Sequence, residues 1–142
     1  MEKTIRQEHR YSHPIQAVWS AISDAEKISA WFIKADFKAE AGYNYIFQHE
    51  NTVIEGQVLE ASPVHTLVYT WIVKGTGVET TVSWKLKEEG DETVLELEHS
   101  GIENYPTDEM VTTMFNNFNG GWVACAGNLA KYLTDPNSVN ED

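Results

Sequence analysis

The chain has 142 residues, 42% hydrophobic and 23% charged, the composition of one globular domain able to bury a sizeable core. Its formal net charge is −12, which repels phosphate backbones and anionic bilayer surfaces; nucleic acid is excluded as an expected partner, and the acidic excess reads as solubility. No stretch approaches the ~18 consecutive apolar residues of a membrane-spanning helix.

The opening segment "MEKTIRQEHRYSH" is charged and has no apolar centre of the kind a secretory leader needs, so a cytoplasmic protein is expected. Residues 3–12 read as a first strand, with Ile5 and Tyr11 among polar neighbours. Pro14 opens a helix as its first helical residue, and Ile15, Val18, Trp19 and Ile22 fall on one face of it. "SDAE" has the spacing of a capping box, with Ser23 as the cap and Glu26 reaching back. It predicts a second short helix with Ile28, Trp31 and Phe32 on its apolar side.

The period then changes to two. Tyr43, Tyr45 and Phe47 alternate with Asn44, Ile46 and Gln48, and Ile54, Gly56 and Val58 share a face of the next segment. "TLVYTWIV" is apolar on both faces, as a central strand is. Val78, Thr80, Val82, Trp84 and Leu86 alternate with polar residues, and so do Leu95, Leu97 and His99. The connections "HEN", "ASPVH", "KGTG" and "EEGDE" are short and turn-like. This is the pattern of an antiparallel meander.

Thr107 is a good N-cap for a final helix, with Asp108 and Glu109 favourable to its dipole. The helix runs to about Thr134, stopped by Asp135-Pro136, a length of ~40 Å. Val111, Phe115, Phe118, Trp122, Cys125, Ala126, Leu129 and Leu133 form its apolar stripe, with Met114 and Tyr132 at the edge and Asn116 and Asn117 outside. Gly120 and Gly121 each cost ~1 kcal/mol relative to alanine at mid-helix. Two explanations offer themselves: a bend that lets the helix follow its sheet, or free volume beside Trp122. Residues 1–135 read as one domain and 136–142 as a flexible tail. The order of elements is α+β.

Little here suggests covalent chemistry. The single cysteine, Cys125, forms no intramolecular disulfide, fits a reducing compartment and reads as a buried inert thiol. No G-x-S-x-G or H-E-x-x-H occurs and the histidines are scattered, so neither a catalytic residue nor a metal site is assigned. No glycine-rich phosphate loop follows a strand, and no cofactor is expected. His99, on the inward register, is the most interesting polar residue: it could meet a ligand or donate a proton, or simply be satisfied at a strand end.

Several stretches resemble a known family. "VWSAISDAEKISAWF" looks like an early helix pair, "GQVLEASPVHTLVYTW" carries a G-x-V-x-E…P…L-x-Y-x-W pattern, and "LELEHSG" and "GGWVACAGNLAKYL" resemble the last strand and helix. Together they are similar to the START-like (SRPBCC, Bet v 1-like) superfamily, in the branch resembling the C-terminal domain of the activator of heat shock protein 90 ATPase. The likeness covers roughly residues 5–134; it departs at Ala41-Gly42-Tyr43, where that branch often has two glycines and a charged residue.

The resemblance implies a helix-grip fold, a curved antiparallel sheet of six to seven strands around the long C-terminal helix, with a cavity between them for an apolar small molecule. Lipids, sterols, flavonoid-like rings and polyketides are the ligand classes it implies. The candidate lining is Tyr45, Phe47, Trp71, Trp84 and His99 from strands and Met114, Phe115, Phe118 and Trp122 from the helix. The expected function is non-enzymatic binding by a monomer. A protein-interaction module like the chaperone activator, with a protein partner, and a cyclase using His99 are the alternatives.

Overall fold

The structure, a computed structural model, describes residues 3–135; the expected tail, 136–142, lies outside them. Seven strands form one antiparallel sheet: β1 (Ile5–Tyr11), β2 (Lys34–Asp36), β3 (Asn44–His49), β4 (Thr52–Ser62), β5 (Thr66–Val73), β6 (Glu79–Glu89) and β7 (Glu92–Ser100). Their spatial order is β1-β7-β6-β5-β4-β3-β2. Strands β2 to β7 are thus a meander, and β1 closes on the free edge of β7, Ile5 opposite His99 and Tyr11 opposite Thr93. Helices α1 (Ile15–Ser23) and α2 (Ala25–Trp31) lie between β1 and β2; a 3-10 turn, Ile102–Asn104, leads into the long α3 (Asp108–Thr134). This is the helix-grip fold, a curved sheet closed over one long helix.

Period-two alternation builds it. β3 buries Tyr45 and Phe47 and exposes Asn44, Ile46 and Gln48; β6 buries Thr80, Val82, Trp84 and Leu86; β7 buries Leu95, Leu97 and His99. Each strand gives the concave face its apolar set and leaves polar residues to water. Against that face α3 buries Val111, Trp122, Cys125, Ala126 and Leu129. The Tyr11 hydroxyl donates to the Ala126 carbonyl at 3.2 Å, tying β1 to the helix.

Two helix starts differ from expectation. Pro14 is the N-cap of α1 rather than its first residue: its φ of −64° would suit a helix, but its ψ of 149° is extended. Ser23 does not cap α2. It ends α1, its hydroxyl donating to the Trp19 carbonyl at 2.6 Å, while the Asp24 carboxylate accepts from the Glu26 and Lys27 amides at 2.9 and 3.3 Å. A charged acceptor satisfies two orphan N–H groups and the helix dipole together, which a hydroxyl does less well. Thr107 caps α3 as expected, accepting from Met110 N at 3.1 Å, and α3 continues through both glycines to Thr134.

One glycine in the sheet is demanded by packing. A Cβ on Gly56 would stand 2.2 Å from the Thr70 carbonyl oxygen. There β5 leans onto β4: the Thr70 hydroxyl accepts from Gln57 N at 2.8 Å, and the Thr70 carbonyl accepts from the Tyr45 hydroxyl.

Candidate ligand-binding site

The inward rings divide into a filled part and an open part. Tyr45, Phe47 and Tyr69 pack with Phe37 in a continuous aromatic cluster, Tyr45 lying 4.7 Å from Phe47 and 5.1 Å from Tyr69 between centroids. The Trp84 indole donates to the Tyr69 hydroxyl at 2.8 Å. Tyr45, Phe47 and Trp84 are buried, and none of the three lines the aromatic cleft formed by Trp71 and Trp122.

His99 sits behind α3 with no exposed surface. Its Nδ1 accepts from the Trp122 indole at 2.9 Å, and its Nε2 lies 2.7 Å from the Thr80 hydroxyl, which donates to the Trp71 carbonyl at 3.1 Å. The chain has one consistent polarity: Nδ1 bare, Nε2 protonated and donating. Burial pushes the imidazole pKa down to about 3, so the ring is neutral. Both nitrogens are engaged within the protein.

The open part lies one layer out. Phe32 at the end of α2, Trp71 on β5, and Asn117, Phe118, Gly121 and Trp122 on α3 line a cleft of about 110 Å³. Trp71 and Trp122 stand 5.2 Å apart between centroids, and Phe32 lies 6.0 Å from Trp122. Gly121 lines the cleft with no side chain of its own, and an added Cβ there would meet no atom within 4 Å. Larger concavities lie elsewhere: about 350 and 440 Å³ on the outer face of the sheet, among residues such as Arg6, Lys85 and Glu98, or Glu55, Gln57 and Glu79, and about 300 Å³ beside the β6–β7 turn, among His13, Glu88 and Glu92. Their walls mix charged side chains with apolar ones such as Leu97, Ile46 and Ile72, unlike the almost wholly apolar cleft.

Of the candidate lining residues, the cleft gathers Trp71, Phe118 and Trp122. Met114 and Phe115 are half-buried on the α3 face a turn earlier, outside the cleft. Phe32 and Asn117 were not anticipated as lining. Phe32 carries a signal in the sequence, its place on the apolar side of its helix, but its approach to Trp122 on α3 is a long-range contact. Asn117 carries none.

Other chemistry is limited. Cys125 is buried, and burial raises its thiol pKa well above the ordinary value, away from the nucleophilic thiolate. Among the described residues, no three metal-ligating side chains gather, and no helix is long and apolar enough to cross a membrane.

A curved antiparallel sheet gripping one helix, with an aromatic cleft at that helix's middle, defines a START-like, SRPBCC-type ligand-binding domain. Within that class the chain belongs to the family described as Activator of Hsp90 ATPase homolog 1-like protein, matched over residues 12–134. Three solved structures show the likeness. Protein MLL2253 from Mesorhizobium loti is 25% identical, with a TM-score of 0.84 over 96% of this chain and 100% of its own. CalU16 from Micromonospora echinospora is 27% identical, with a TM-score of 0.74 over 95% of this chain and 78% of its own. DynU16, a protein of the dynemicin biosynthetic locus, shares the fold at 23% identity and a TM-score of 0.82; the match covers 94% of this chain but 48% of DynU16. No curated protein matches the sequence.

Proposed function

We propose that this protein binds an apolar small molecule non-enzymatically, seating a ring or slender chain in the cleft between Phe32 and Phe118 against Trp71 and Trp122. The observation that carries this reading is Gly121. The helix carries a glycine, which costs ~1 kcal/mol relative to alanine at mid-helix, among the residues that line the cleft. At about 110 Å³ the cleft is smaller than the ~150 Å³ apolar cavity that encloses benzene, so a small ring would seat with one edge open to solvent. Larger ligands of the flavonoid-like, polyketide-like, sterol or lipid kinds would require the half-buried rings of Phe32 and Phe118 to swing outward. The closed hydrogen bonding of His99 and the protonated, buried Cys125 support binding without acid–base or nucleophilic catalysis.

The test is an amide-resolved NMR titration with pooled flavonoids, sterols, fatty acids and polyketide-like rings. Saturable shifts are expected at Trp71, Phe118, Gly121 and Trp122, and their loss is expected in Gly121→Leu. That variant should fold, because the position is exposed and helical. Shifts confined to the outer sheet face, or unchanged in the variant, would overturn the proposal.

A further inference from the structure

We infer that the ligand of this cleft is an uncharged ring compound with a hydrogen-bond acceptor, a ring ketone or ether oxygen, held by the Trp71 indole N–H. The inference rests on the cleft being a binding site. Four tryptophans are buried, Trp31, Trp71, Trp84 and Trp122. Three of them donate: Trp31 to the Ala21 carbonyl at 2.8 Å, Trp84 to the Tyr69 hydroxyl at 2.8 Å, Trp122 to His99 Nδ1 at 2.9 Å. Trp71 Nε1 has no partner, a state it shares among the described residues only with Thr4 Oγ1. Buried indole N–H groups normally find acceptors, and leaving one unmet costs about 1–3 kcal/mol. The orphan therefore belongs to the one buried tryptophan, besides the already bonded Trp122, that walls the cleft.

No acceptor stands within hydrogen-bond distance of Trp71 Nε1. Its ring contacts are Phe47, Phe118, Trp122 and His99, and both His99 nitrogens are engaged elsewhere. An incoming oxygen would supply the missing acceptor. That oxygen should be neutral. The cleft lining contains no lysine, arginine or charged histidine, and the chain carries a net charge of −12, so a carboxylate would be desolvated there without a counter-charge. Among apolar ligands this favours ring ketones over fatty acids. The N–H is covered in the unliganded protein, so a side chain around it must shift for the acceptor to reach it; Phe32 and Phe118, the half-buried rings of the lining, are the ones with room to do so.

The experiment compares 1-indanone, indane and indane-1-carboxylate by titration into the 15N-labelled chain, following backbone amides and the indole N–H signals. 1-Indanone should bind at least about tenfold more tightly than either analogue, since one hydrogen bond that satisfies a buried donor is of that order. The Trp71 indole proton should move downfield while those of Trp31, Trp84 and Trp122 stay close to place. In Trp71→Phe, 1-indanone and indane should bind alike. Equal affinity for 1-indanone and indane in the wild type, with shifts at Gly121 and Phe118 but a static Trp71 indole signal, would overturn the donor assignment and leave the site standing. Tighter binding of the carboxylate would overturn the requirement for a neutral ligand. No cleft shifts with any of the three would remove the binding reading itself. The wild-type indole signal decides the matter even if Trp71→Phe fails to fold.

Discussion

His99 is neutral because burial disfavours its charged form, and the groups that touch its ring, Trp71, Thr80, Phe118 and Trp122, carry no charge to offset that. Its pKa falls from 6.5 in the unfolded chain to about 3 in the folded one. Between those values the unfolded chain takes up a proton that the folded protein refuses. The contribution to stability is therefore complete above pH 6.5 and is lost as the pH falls toward 3, up to on the order of 4–5 kcal/mol. Moving from pH 7 to pH 5 should cost the wild type about 2 kcal/mol through this residue. His99→Gln should flatten that slope, because an amide can accept from Trp122 and donate to Thr80 without titrating. Urea unfolding of both proteins at the two pH values checks it; His9, also lowered by burial, is present in both and cancels. Parallel slopes would refute the account. The inward register of His99 was legible from alternation with Leu95 and Leu97. Its partners were not, because Thr80 and Trp122 reach it only through strand pairing and helix packing.

The two glycine environments set opposite expectations for elements. Gly120 on α3 is exposed and an added Cβ would meet nothing within 4 Å, so Gly120→Ala should stabilise by about 1 kcal/mol through helix propensity and leave the cleft unchanged. Gly56 on β4 faces a backbone carbonyl that cannot step aside, and Gly56→Ala should destabilise by about 2 kcal/mol or more. Denaturant midpoints measured on the two variants would separate these signs. At this scale most of the architecture was readable: the period-two strands, the Thr107 cap and the end of α3 all follow from local pattern. What escaped was β2, whose three residues are too short to show a period. Ser23 and Asp24 are adjacent residues that both suit a cap; the carboxylate's fit to the dipole and the turn of the Ser23 hydroxyl back to Trp19 decide between them.

For the molecule as a whole, alternation tells which rings face inward but not whether they meet other rings or a space. That is why Tyr45, Phe47 and Trp84 read as lining alongside Trp71, and why Phe32, brought in from α2 by the chain's return, did not. The acidic excess stays on the wet face, where Arg6 pairs with Glu98 at 3.0 Å and Arg10 with Glu89 at 2.7 Å; such exposed pairs contribute little. The tryptophan arrangement has an optical consequence. Trp71 and Trp122 are inclined at 58°, and Trp84 stands at 90° to Trp122 with centroids 5.6 Å apart. Three indoles this close and this skewed share their excited states, so the folded protein should give a strong tryptophan couplet in circular dichroism, and Trp122→Phe should erase it. A molecule wedged against Trp71 would change the angle between those transition dipoles. The chain thus carries its own unlabelled signal for an occupied cleft.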